Sequence, residues 1–186
     1  MAMAAEPLPA PDTVPDPLDA TQIFRQEFRY VWGSLRRLGV RESDLEDLTH
    51  EVFVRVHAQL ALFDPTRPLR PWLFGIALGV SANYRRLARH RVEVFKEVTD
   101  LPDTAGRADE QFELEQTREL VHRALERLPL EQRAVLVLHE MDGFGMPDVA
   151  LALGINVNTA YSRLRIGRAA FKAAIQRLAR SRGGLR

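Results

Sequence analysis

The sequence predicts an all-α fold: two small helical domains joined by a flexible linker. Three observations carry that expectation. Apolar residues recur at three- and four-residue steps in seven separate stretches, and no stretch shows a convincing strand alternation. A turn-rich, acidic segment centred on "DLPDTAGRAD" interrupts the periodicity near the middle of the chain. The 186 residues are 46% hydrophobic and 27% charged, which is ordinary for a globular protein and enough for two modest cores.

Residues 1–19, "MAMAAEPLPAPDTVPDPLD", hold five prolines and four acidic side chains with no basic one, and are expected to be a disordered acidic tail. The first helix runs from Thr21 to about Leu38 on Ile23, Phe24, Phe28, Val31, Leu35 and Leu38, with Gly39 as its stop. In the next, Ser43 is placed to cap the amide of Glu46. Leu45, Leu48, Val52, Val56 and Leu60 form its apolar stripe, and Asp44, Asp47 and Glu51 an acidic face off that stripe. "DPTRPLRP" reads as a loop, and "WLFGIALGVSANYRRLARHR" as a helix that starts apolar and ends basic. Residues 92–111 read as the linker. Periodicity resumes at Phe112, Leu114, Leu120, Val121 and Leu125, breaks at Pro129, and continues in "LEQRAVLVLHEM" until "DGFG".

The last unit carries the clearest local signal. A short helix opens near Asp148, with Val149 and Leu153 pointing inward and Ala150 small enough for a close helix crossing. Gly154 supplies a turn at positive φ, and Asn156 caps the helix that follows. Ala160 and Leu164 face the core, which leaves Asn158, Thr159, Tyr161, Ser162, Arg163, Arg165 and Arg168 near the outside. This is a helix-turn-helix pattern whose second helix suits a DNA major groove. A generic helical hairpin lacks the arginine-rich second helix.

The net charge of +1 conceals segregation. Residues 67–96 carry seven basic and one acidic side chain, and residues 161–186 carry eight basic and none acidic. Two separate basic blocks point to two contacts with a polyanion. The first block joins arginines to Trp72, Phe74 and Tyr84, a combination suited to holding a strand while receiving unstacked bases, although aromatics at this spacing are more often core. Residues 41–51, with five acidic and one basic side chain, would repel DNA, so their partner is a protein. There is no cysteine, no secretory signal and no apolar run long enough for a membrane span.

"DLEDLTHEVFVRVH", "RPLRPWLFGIALGVSANYRR" and "ALERLPLEQRAVLVLHEMDGFGMPDVALALGINVNTAYSRLRIGRAAF" resemble an extracytoplasmic-function (group four) sigma factor of bacterial RNA polymerase. The likeness runs in the family's order from about residue 21 to 178. It implies a tail at 1–19, sigma region 2 at 20–91, a linker at 92–111 through the polymerase's RNA path, sigma region 4 at 112–180 and a basic tail at 181–186. It implies docking on the clamp helices of the polymerase's largest subunit through Asp44, Asp47, His50, Glu51 and Phe53, and a contact with the flap of the second subunit. It implies melting and capture of the minus-10 element by Arg67, Arg70, Trp72, Asn83, Tyr84, Arg85, Arg86 and Arg89. It implies reading of the minus-35 element by Asn158, Thr159, Tyr161, Ser162, Arg163, Arg165 and Arg168. Promoter DNA is thus met both as duplex and as single strand, in the cytoplasm, and an anti-sigma protein is a further implied partner; no cofactor or metal is. The chain departs from the family at His50 (usually Gln), at Leu78 and Gly79 (often Arg-Asn), at Asn83 (often Asp), and at Asn158 and Tyr161 within the usual Gly-Thr-Val-Lys.

Rival readings fit less of the chain. For an enzyme, His50, His57, His90, His122 and His139 form no recognised metal signature, since "THEVFVRVH" spaces two of them seven apart, and no glycine-rich phosphate loop follows a strand. A dimeric helix-turn-helix regulator would bind a palindrome tightly without polymerase. A helical interaction protein would show no preference for DNA.

Overall fold

The computed structural model describes residues 19–94 and 109–183. The expected N-terminal tail, the centre of the expected linker and the end of the basic tail lie outside these residues. All regular structure among the described residues is helical.

Helix α1, Ala20–Arg37, starts where the Asp19 carboxylate accepts from the amide of Thr21 at 3.0 Å. Arg36 and Arg37 sit in its last turn, where the helix dipole favours cations. It ends at Gly39, φ +91°, and the amide of Val40 closes back on the carbonyl of Leu35, the pattern a left-handed residue permits. A short 3-10 turn, Glu42–Asp44, leads into α2, Leu45–Gln59. The expected Ser43 cap is not made: its hydroxyl turns to the Asp44 carboxylate at 3.3 Å, because the tighter turn moves the helix start to Leu45.

A second 3-10 turn, Leu60–Leu62, precedes a loop in which Asp64 accepts from the amide and the hydroxyl of Thr66. Those bonds hold the Asp64 carboxyl below the usual carboxylate range. Helix α3, Leu69–Val94, begins inside the stretch expected to be loop, since Pro71 in a first turn loses no intrahelical hydrogen bond. Val31, Leu35, Leu45, Val52, Val56, Leu73 and Phe74 pack α1, α2 and α3 around one core.

The second unit comprises α4, Asp109–Glu126; α5, Leu130–Leu136; α6, Met146–Ala152; and α7, Val157–Gly183. Helix α3 ends, and α4 begins, within residues 92–111, which were expected to be linker. Where one helix was expected over "LEQRAVLVLHEM", α5 passes into a π turn, Val137–Met141, closed by the Asp142 amide on the carbonyl of Val137. Gly143 at φ +78° then redirects the chain. Val135, Leu138, Val149, Ala160 and Leu164 form the core under α6 and α7, while Ala124, Ala174 and Leu178 join α4 to the far end of α7.

The two units touch. The π turn carries Asp142 to α1, where it accepts from the Tyr30 hydroxyl at 2.9 Å and from Arg37 Nη1 at 2.5 Å. Arg133, only 1% exposed, donates to the carbonyl of Leu38 in the first unit at 2.8 Å and to that of Leu128 at 3.2 Å.

Candidate nucleic-acid interface

The helix-turn-helix forms as its local chemistry dictates. Gly154 has φ +63°, and the Asn156 side chain accepts from the amide of Asn158 at 2.8 Å, capping α7. Ala150, Val149, Ala160 and Leu164 are buried where α6 crosses α7. Of the residues expected to read duplex DNA, Asn158, Thr159, Tyr161, Ser162, Arg165 and Arg168 are exposed and Arg163 is half-buried. Arg168 is already engaged: its Nε meets Glu140 Oε1 at 2.8 Å and its Nη2 meets the same oxygen. An exposed pair of this kind is worth roughly 0–1 kcal/mol, so a phosphate can displace the carboxylate.

The basic block of the first unit is also partly tied. Arg67 Nε lies 3.1 Å from Asp64, and Arg70 Nε 2.8 Å from Glu27, with its guanidinium 5.1 Å above the Tyr30 ring. The Glu27 hydrogen bond raises the Arg70 pKa further above its ordinary value. Trp72 is half-buried with its ring 4.9 Å from that of Phe63, whereas Phe74 is fully buried and belongs to the core. Arg86 donates to the Asn83 side chain at 2.9 Å. The Arg89 side chain lies outside the described ones.

Tyr84 links the two functional faces expected of the first unit. Its hydroxyl donates to the Asp44 carboxylate at 2.6 Å, and burial followed by that bond raises its pKa. Asp47 and His50 are exposed, the latter stacked at 6.0 Å on Phe24. Glu51 pairs with Arg55 at 2.6 Å. Phe53 is 8% exposed and packs edge-on against Phe24 at 4.8 Å, so it supports the acidic face from beneath.

Sequence reasoning did not single out Tyr30, Arg37, Arg133 or Asp142. Tyr30 and Asp142 are 112 residues apart, so no local pattern relates them. Burial, and then the nearby Arg85 cation, pull the Arg133 pKa down to about 10, which leaves it charged at neutral pH. Burial, reinforced by Asp142, raises that of Tyr30. No described helix is long and apolar enough to cross a membrane.

Comparison with known proteins agrees with this architecture. The Sigma-70 region 2 family matches residues 23–91, and the Sigma-70, region 4 family matches residues 118–171. RNA polymerase sigma factor NccH of Alcaligenes xylosoxydans xylosoxydans is 30% identical over 159 residues, covering 83% of this chain and 86% of that protein. The ECF RNA polymerase sigma factor SigM of Mycobacterium tuberculosis is 30% identical over 149 residues, covering 80% and 72%. Among solved structures, that of CnrH in complex with the cytosolic domain of CnrY is similar at a TM-score of 0.58 and 25% identity, covering 84% of this chain and 87% of that one. With both regions in order, a wholly helical fold and relatives that span most of its length, the chain belongs to the extracytoplasmic-function family of RNA polymerase sigma factors.

Proposed function

We propose that this sigma factor docks on core RNA polymerase through the acidic face of α2, presents α7 to the minus-35 duplex, and uses the loop from Asp64 with the first turns of α3 to open the minus-10 element. The chain divides functionally at 20–91 and 112–180, with 92–111 as the tether. The observation that carries this reading is the separation of charge on one chain. Asp47 and Glu51 lie on α2, whereas Arg67, Arg70 and Arg86 lie on α3 or the loop before it in the first unit, and Arg163 and Arg165 on α7 in the second.

The physical logic is one of shared anchoring. Unstacking a base costs a few kcal/mol, which two exposed basic patches do not supply alone. Held on one polymerase, the patches act at a high effective concentration, and polymerase contacts contribute the remainder. Asn158 and Tyr161 in place of more usual residues alter the sequence read at minus-35. The relative CnrH is solved with the cytosolic domain of CnrY, and by that likeness a protein partner of anti-sigma type is proposed for this chain too.

Adding the purified chain to core polymerase on a library of genomic fragments tests the proposal. Discrete new start sites, preceded by shared upstream and downstream motifs, are expected. Tight binding to a palindrome by the chain alone, with no change in start sites, would replace it with a dimeric regulator.

A further inference from the structure

We infer that Ile166 is a thymine reader: its side chain, on the outward line of α7, packs against the C5-methyl group of a thymine on the floor of the major groove. This deepens the minus-35 assignment made above and rests on it.

Helix geometry singles out this side chain. Asn158, Ser162, Ile166 and Ala169 follow one another at steps of four, four and three residues, so they share one line along α7. All four are exposed. The core lies on the other side of the helix. Ala160 and Leu164 are 0% and 3% exposed there, and a Cβ on Gly167 would stand 3.3 Å from the carbonyl oxygen of Gln132. The line that faces away from the protein therefore carries no charge. Cations flank it, Arg165 and Arg168 along one edge and Arg163 along the other, and α7 holds no acidic residue from Val157 to Gly183. A helix built this way offers a neutral lane to the base edges, between positive flanks that attract both phosphate strands.

A single exposed apolar side chain is common on protein surfaces and has no meaning by itself. Ile166 differs because it is 46% exposed in the middle of this lane, with Ala169 next to it, on a helix whose other large outward side chains are mostly arginines. A β-branched residue also has a lower helix propensity than Ala, Leu, Lys or Arg, so α7 gains nothing from it in the free chain. What it gains is a contact that duplex DNA offers. In the major groove only thymine presents a methyl group, whereas the other bases present donors and acceptors that an aliphatic side chain leaves unpaired. The apolar half of the lane thus selects thymine twice over, by attraction to the methyl and by the desolvation penalty at any other base. The polar half, Asn158 and Ser162, supplies hydrogen bonds.

The test uses core polymerase charged with the full-length chain, and a duplex carrying the upstream element that start-site mapping yields. Each thymine of that element is replaced in turn by deoxyuridine, which deletes the C5-methyl group and keeps the base pairing. At one position, or at two neighbouring ones, binding should weaken about fourfold, the factor that about 0.8 kcal/mol for one buried methyl group produces. Ile166→Ala should lose a similar factor on the thymine duplex and nothing further on the deoxyuridine one, so the two changes are not additive. Alanine is the better helix former, so this variant keeps α7 folded, and circular dichroism checks that it does. Ile166→Val, which retains a branched side chain, should lose less than Ile166→Ala. Equal affinity for thymine and deoxyuridine at every position overturns the inference, as do additive losses or an element without thymine. A defect of Ile166→Ala in assembling with core polymerase before DNA is added makes the side chain a protein contact, and overturns it too. A polymerase that gains no preference for any upstream element sinks the minus-35 assignment and the thymine contact with it. That outcome is distinct from one that selects its element and ignores the methyl groups, which sinks the thymine contact alone.

Discussion

Arg163 stands half-buried on α7, about two turns beyond the Asn156 cap, with its neighbours Tyr161, Ser162 and Arg165 exposed around it. A guanidinium in that position can reach base edges only if α7 enters the groove at its N-terminal end, the geometry of helix-turn-helix readers. Arg163→Ala is expected to lose roughly 1–3 kcal/mol of binding at one upstream base pair and to relax the preference there. Gel-shift titration of the polymerase complex on single-base promoter variants checks this; a uniform loss across all of them makes Arg163 a phosphate contact. Phe53 teaches a different lesson about single residues. The resemblance implies a docking role, yet its ring is buried between α1 and α2 against Phe24 and Phe28. The docking role proposed for it is therefore one of holding the acidic face in place.

At the scale of elements, α7 and α2 are each set up by their first turn. The Asn156 cap satisfies the Asn158 amide, one of the donors a helix start leaves open. Asn156→Ala should cost about 0.5–2 kcal/mol in urea unfolding and should weaken duplex binding in proportion to fraying of the first turn. On α2, burial of Leu45, Val52 and Val56 leaves Asp47 and Glu51 on the outside, so the acidic face follows from the apolar stripe. Asp47→Arg with Glu51→Arg reverses that face without touching the core. Loss of co-purification with core polymerase, at an unchanged circular dichroism spectrum, is the expected outcome; full retention contradicts docking through α2.

At the scale of the whole molecule, the two units are joined by polar contacts, and a histidine stands near their junction. His122 on α4 has its pKa lowered, first by burial and then by Arg36 across the junction, with Arg37 acting the same way and Glu119 and Glu42 opposing. The unfolded chain, with a histidine pKa of about 6.5, therefore takes up this proton before the folded one. Stability from His122 is complete above about pH 6.5 and is lost as pH falls toward the lower folded-state value. Thermal melts should show a midpoint that drops on acidification below about pH 6.5, and His122→Gln should flatten that dependence. An identical slope in both proteins removes His122 from the account.

Much of this protein is written in short-range pattern. The helical periodicity, the positive-φ glycines at 39 and 154, the Asn156 cap and the inward placement of Ala160 and Leu164 follow from interactions within a few residues, so the sequence alone specified the seven helices, the helix-turn-helix and its outward arginines. The family resemblance rested on the same stretches. The tertiary structure alone decided what depends on residues far apart in the chain. It replaced the Ser43 cap with a 3-10 turn and bent "VLHEM" into a π turn. It also paired Tyr84 with Asp44, and Tyr30 and Arg37 with Asp142. The reason is physical: a cap or turn is stabilised by its own neighbours, whereas a buried cation such as Arg133 finds its acceptor, the Leu38 carbonyl 95 residues away, only after both units have folded and met.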